Sequence, residues 1–191
     1  MIEQGNLPTQ RVNISTQKIL GGIGSILILL VFKSEATLLG IVGFVLWLIS
    51  MYQLSNILRK PSIFQKVLIG FILSIGGIVI ASAFGLTAII SSLATMRGET
   101  GAILGLGLGV VVAFIVAYAI IVVSFYFYKQ AYEILARKTA HNLFKIAGLL
   151  MFIGAITTIL FGLGLLLIIV GYIVLAVAFF TAPNEVEVQG T

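Results

Sequence analysis

Residues 146–181, IAGLLMFIGAITTILFGLGLLLIIVGYIVLAVAFFT, run without a single charged side chain. As one straight helix this run would measure about 54 Å, well beyond a hydrocarbon core of about 30 Å. The stretch Gly162-Leu163-Gly164 offers a turn near its middle. The run therefore divides into two membrane spans, 146–161 and 164–181, joined as a hairpin, and Pro183 ends the second.

The same reading extends outward. The 191 residues hold 11 Lys and Arg and 6 Asp and Glu, the hydrophobic share is 60%, and mean hydropathy is +1.22. Soluble domains carry about 45–50% apolar residues, so a bilayer is the expected solvent. Four further apolar stretches lie at 19–32, 36–54, 67–93 and 101–126, separated by short charged segments. The first is short for a bilayer, and residues 14–18 extend it, with Lys18 reaching for the interface. The third is long, so it tilts, kinks near Gly76-Gly77 or projects outward. The expected fold is all-α: six transmembrane helices as three consecutive hairpins. A polar lead (1–18, loosely ordered) precedes the membrane domain (19–182), and a short acidic tail (183–191) follows.

Charge placement gives an orientation. Two connectors are basic: 55–66, with Arg59, Lys60 and Lys66, and 128–145, with Lys129, Arg137, Lys138 and Lys145. Six spans put both connectors and both termini on one side, together with Arg11 and Lys18, leaving Lys33 and Arg97 on the other. The positive-inside rule makes the rich side cytoplasmic, and five or seven spans would scatter the two connectors to opposite faces. The cations serve orientation and anionic lipid better than nucleic acid, despite a pI near 9.6. A docking surface for a membrane-complex partner is the rival use of Arg59, Lys60, Lys66, Arg137, Lys138 and Lys145.

Chemistry is sparse. There is no Cys, no Asp and one His, so no thiolate site or metal site is expected. No hydroxyl has an evident His and acid partner, which argues against a hydrolase. No ionisable residue falls at mid-span, which argues against a carboxylate-based pump. No cofactor is expected, and the reading is of a protein that is not an enzyme. Gly101, Gly105, Gly109, Ala113 and Ala117 recur every four residues, a small-residue stripe along one helix face. Gly77, Ala81 and Gly85 form a shorter stripe in the span before. These two stripes are expected to pack against each other, with homo-oligomer formation as the alternative. Ser82, Thr87 and Ser91 are candidates for a polar cavity, although hydroxyls in spans ordinarily bond to their own helix four residues back. Tyr52, Tyr126, Tyr128 and Tyr132 stand near the basic connectors as expected interface anchors.

The chain also resembles itself. Ile57-Leu58-Arg59-Lys60 leading to Phe64-Gln65-Lys66 matches Ile134-Leu135-Ala136-Arg137-Lys138 leading to Phe144-Lys145. Leu38-Leu39-Gly40-Ile41-Val42-Gly43-Phe44 echoes Leu166-Leu167-Ile168-Ile169-Val170-Gly171-Tyr172. Three helical hairpins entering from one side, with the first and third most alike, would account for both matches, and chance alignment of apolar helices is the alternative.

Phe144-Lys145-Ile146-Ala147-Gly148-Leu149-Leu150 with Ile153-Gly154-Ala155, and the ending Ala178-Phe179-Phe180-Thr181-Ala182-Pro183, resemble the Domain of Unknown Function 996 family, as does Tyr52-Gln53-Leu54-Ser55. The resemblance implies a small, largely archaeal, multi-span membrane protein. It brings no activity, ligand or site residue with it. The leading functional expectation is a non-catalytic membrane protein that organises lipid or serves as a subunit of a membrane complex. A small transporter or channel for an uncharged or weakly polar solute is the alternative.

Overall fold

A computed structural model describes residues 9–32, 36–95, 103–159 and 162–189. Six α-helices follow in order: α1 (Ser15–Ile28), α2 (Thr37–Ile57), α3 (Pro61–Thr95), α4 (Ile103–Thr139), α5 (Leu143–Thr157) and α6 (Leu163–Thr181). Two strands, β1 (Thr9–Asn13) and β2 (Glu185–Gln189), flank them. Among the described residues, four helices are long and apolar enough to cross a membrane, and α1 and α5 are shorter apolar helices. A 3-10 turn, Leu29–Phe32, continues α1. With it the first apolar element spans about 29 Å, close to a hydrocarbon core.

Pro61 opens α3 at its first position, where the missing N–H has no helical partner to lose. The helix runs unbroken through Gly76-Gly77. Gly162, in the left-handed region at φ 74°, starts α6. The hairpin expected at Gly162-Leu163-Gly164 thus turns just before α6, and Gly164 already lies inside it.

The described ends of the lead and the tail, Thr9–Asn13 and Glu185–Gln189, are strands, which their polarity does not suggest. β1 and β2 pair antiparallel, with Val12 opposite Val186 and Arg11 opposite Glu187. Glu185-Val186-Glu187-Val188 alternates with period two, which buries Val186 and Val188 and leaves both glutamates out. Arg11 lies 3.9 Å from Glu185 and 3.8 Å from Glu187, exposed pairs that add little. The amide of Ile14 donates to the Asn184 carbonyl at 2.8 Å and joins the sheet to the helices.

The chain forms two units, one of Met1–Val67 with Tyr128–Thr191 and one of Leu68–Phe127. In the first, α1 pairs with α2, α5 with α6, and α1 with α6. Gly24 and Gly43 let α1 and α2 touch backbone to backbone: a methyl on Gly24 would stand 2.6 Å from the Trp47 amide nitrogen and 2.7 Å from the Gly43 oxygen. Gly154 and Gly164 do the same for α5 and α6, with 2.7 Å from Gly154 to the Gly164 oxygen. The first and third hairpins therefore share one closure, but it equates Gly43 with Gly164, whereas the sequence match equates it with Gly171. The aromatic core of this unit is Trp47 with Tyr128 and Tyr132, ring centroids 5.8 and 6.4 Å apart. Tyr128 and Tyr132 are buried and only Tyr52 and Tyr126 are exposed, so the first two are not interface anchors. Their spacing of four aims both at Trp47.

The second unit holds α3 from Leu68 to its end and α4 from its start to Phe127. Gly77 meets Ala117 and Ile121, with 3.3 Å from its notional methyl to the Ala117 oxygen. The Ser74 and Ser124 hydroxyls lie 3.0 Å apart. Ile72, Ile78, Val79, Leu86, Val112 and Phe114 are each more than half exposed. So much apolar surface in the open is stable against lipid tails rather than water.

Candidate anion-binding pocket

α4 carries Glu133, Ala136 and Arg137 on one face, at the spacing of one helical turn. The helix ends at Ala140, held at φ 51°, and the His141 amide folds back to the Ala136 carbonyl at 3.1 Å. This left-handed closure with a six-residue return is a Schellman cap. Asn142 then begins α5, and Lys145 lies in its first turn. Glu133, Ala136, Arg137, Asn142 and Lys145 line a pocket of about 240 Å³.

The charges inside it are unequal. Glu133 is already engaged by Lys129 at 3.1 Å. Among the described residues Arg137 and Lys145 take part in no ion pair, and both are exposed. The side chain of Asn142 makes no capping bond to α5, and its amide has no hydrogen bond among the described residues. The unpaired amide ends of a helix start also favour an anion. The pocket is therefore net positive, with a planar fork, a point charge and a neutral amide along its wall.

Of the basic residues singled out by sequence, the structure brings Arg137 and Lys145 together, with Lys138 half-buried in the same last turn of α4. Arg59 and Lys60 form the exposed turn between α2 and α3, and Lys66 donates to the Gln130 side chain. Several bonds gather this end of the first unit. Lys18 donates to Ala182 and Asn184, Gln17 to Gln53 at 3.1 Å, and the His141 ring meets the Thr181 hydroxyl at 2.9 Å. The start of α1 and the ends of α2, α4 and α6 therefore converge on one end, where β1 and β2 pair.

The other singled-out residues are dispersed. Ala113 and Ala117 are buried, Ala81 is half-buried, and a methyl added at Gly85 would meet nothing within 4 Å. Gly105 and Gly109 belong to α4, but their surroundings, like Gly101 itself, lie outside the described residues. Ser82 is exposed, Thr87 donates to the Ala83 carbonyl at 2.9 Å, and the side chain of Ser91 lies outside the described residues. Sequence reading missed Glu133 and Asn142 as pocket residues. Their signal is the one-turn spacing of Glu133 from Arg137 and the polar residue at the start of α5. It also passed over Gly24, Gly43, Gly154 and Gly164 as contact residues.

Fold and pocket together define a class: an all-α protein with four long apolar helices and a basic pocket at the end where its strands pair. Within that class the chain belongs to the family described as "Protein of unknown function (DUF996)", whose model matches residues 39–173. It is 30% identical over 178 residues to an uncharacterized protein of Methanocaldococcus jannaschii, covering 93% of this chain and 97% of that one. No solved structure matches the chain.

Proposed function

We propose that the protein is a six-span, non-catalytic membrane protein that holds anionic lipid headgroups at a cytoplasmic face made by both basic connectors. The convergence of that end supports this reading most strongly. Lys18, the Arg59-Lys60 turn and the Arg137–Lys145 segment are concentrated there, and two of the cations line a pocket without an ion-pair partner. Each cation near an anionic surface contributes on the order of 1 kcal/mol. In this reading α1, with its 3-10 turn, and α5 are the two remaining spans, and both termini face the cytoplasm. A second copy or a membrane-complex subunit fits the open face of α3 and α4 as partner. No cofactor or nucleic acid enters.

Purification in mild detergent followed by mass spectrometry of retained lipid tests the proposal. Anionic lipid should be enriched over its share of the source membrane, and enrichment should fall as salt rises. Retention in proportion to the bulk lipid, unaffected by salt, would remove the reading. A stoichiometric protein in its place would make the chain a complex subunit.

A further inference from the structure

The turn between α2 and α3 is an internal control for the turn between α4 and α5. Arg59 and Ala140 both sit at φ 51°. The Lys60 amide returns to the Ser55 carbonyl at 2.9 Å, as that of His141 returns to Ala136 at 3.1 Å. Aligned on these two residues, the buried positions coincide: Trp47 with Tyr128, Met51 with Tyr132, Leu54 with Leu135, Ser55 with Ala136, Leu58 with Thr139, Ile63 with Phe144. The chain has built one helix–turn–helix frame twice. In that alignment Ile63, not Phe64, stands opposite Phe144, a shift from the sequence match.

At the pocket positions the two copies differ in chemistry. Glu133 corresponds to Tyr52, Arg137 to Asn56, Asn142 to Pro61 and Lys145 to Phe64. In the first copy the Tyr52 and Phe64 rings meet edge to face, centroids 5.1 Å apart, and occupy the gap between the helices. In the second copy a carboxylate and an ammonium replace the two rings, and the gap is a pocket of about 240 Å³. The frame needs no charge at these places, because its first copy closes with none. The helix dipole does not demand one either: α2 ends without a basic residue in its last turn, whereas α4 ends with Arg137 and Lys138. The substitutions cost the second turn an aromatic contact and give it two cations, an amide and a helix start bordering one small space.

Resting on the lipid-holding reading, we infer that this pocket is a specific phosphoester site, with the phosphate between Arg137 and Lys145 and the Asn142 amide completing its shell. The guanidinium fork suits a tetrahedral oxyanion, and Lys145 adds charge without geometry. Glu133, held by Lys129, does not repel the anion as a bare carboxylate would, and it can accept from a hydroxyl or amine beside the phosphate. The volume is below the roughly 300 Å³ at which drug-sized pockets begin, which suits a headgroup or a small phosphoester.

The test uses the full-length protein in detergent, titrated with phosphatidylglycerol and separately with glycerol phosphate, with binding read by native mass spectrometry. Arg137→Gln with Lys145→Gln should weaken phosphatidylglycerol binding by about tenfold or more. Arg59→Gln with Lys60→Gln, an equal charge change on the other turn, removes surface charge but no pocket, so it should weaken binding too, but several-fold less. Glu133→Tyr with Lys145→Phe, which copies the first turn into the second, should lose binding while thermal stability is kept or raised. Glycerol phosphate that binds alone and competes marks a soluble phosphoester as ligand. Binding of the lipid only marks a headgroup, and either result supports the site. Equal loss in both glutamine pairs would overturn the pocket and leave the lipid-holding face standing. Full binding by the copied turn would overturn the pocket as well. No anionic preference in the unmodified protein would overturn both.

Discussion

A methyl added at Gly24 or Gly154 would strike backbone, with nearest atoms at 2.6 and 2.7 Å. At Gly76 and Gly85 it would meet nothing within 4 Å. Alanine in a helix is otherwise favoured over glycine by roughly 0.5–1 kcal/mol. Gly24→Ala and Gly154→Ala should therefore each lower the melting temperature in detergent, by the about 1–3 kcal/mol typical of overpacking. Gly76→Ala should leave it unchanged or raise it. Equal behaviour of the Gly24 and Gly76 variants would show that the hairpins do not close on their glycines. Sequence spacing singled out the stripe Gly101 to Ala117 because a four-residue repeat can be read along one stretch of chain. It passed over Gly24 with Gly43 and Gly154 with Gly164 because those contacts join two helices, and their pairing depends on where the axes cross.

Most helices were legible because the apolar runs mark them, but α4 continues past its apolar run 101–126 to Thr139, so most of the expected connector 128–145, with Lys129, Glu133, Arg137 and Lys138, is helix. The strands were not legible: five residues of alternating Val and Glu at a polar end look like tail until a partner strand is known. The pocket was legible in its cations and hidden in its frame. The register of the two turns rests on the positive-φ residues Arg59 and Ala140, and neither residue type announces that conformation. Both positions carry the cost of a side chain in the left-handed region. Ala140→Gly relieves it, and the expected gain is about 1 kcal/mol, read as a melting temperature a few degrees higher with α4 and α5 otherwise unchanged. A loss of stability would show that this turn is not a Schellman closure.

Taken whole, the molecule pairs its first and last described elements: β1 precedes the six described helices, β2 follows them, and they pair with Val12 opposite Val186. The chain has no cysteine, so introduced thiols report alone. In the six-span reading, single cysteines at Asn13, Lys60, His141 and Asn184 should react with a membrane-impermeant maleimide from the cytoplasmic side only, and one at Ile159 from the other. Labelling of Lys60→Cys and His141→Cys from opposite sides would refute six spans. The double variant Val12→Cys with Val186→Cys should cross-link within one chain through a short bismaleimide.

The strand pair also sets an order of events during synthesis. β1 leaves the ribosome ahead of all six helices, and its partner follows all six. In the six-span reading its edge stays open through the whole of membrane insertion, an invitation to any other extended chain nearby. The edge is covered only when α6 is in place and β2 has returned to the side where β1 waits. On that topology a chain with one helix mis-inserted would deliver β2 to the wrong face and leave β1 bare, and the smallest element of the molecule would register whether the largest were assembled correctly.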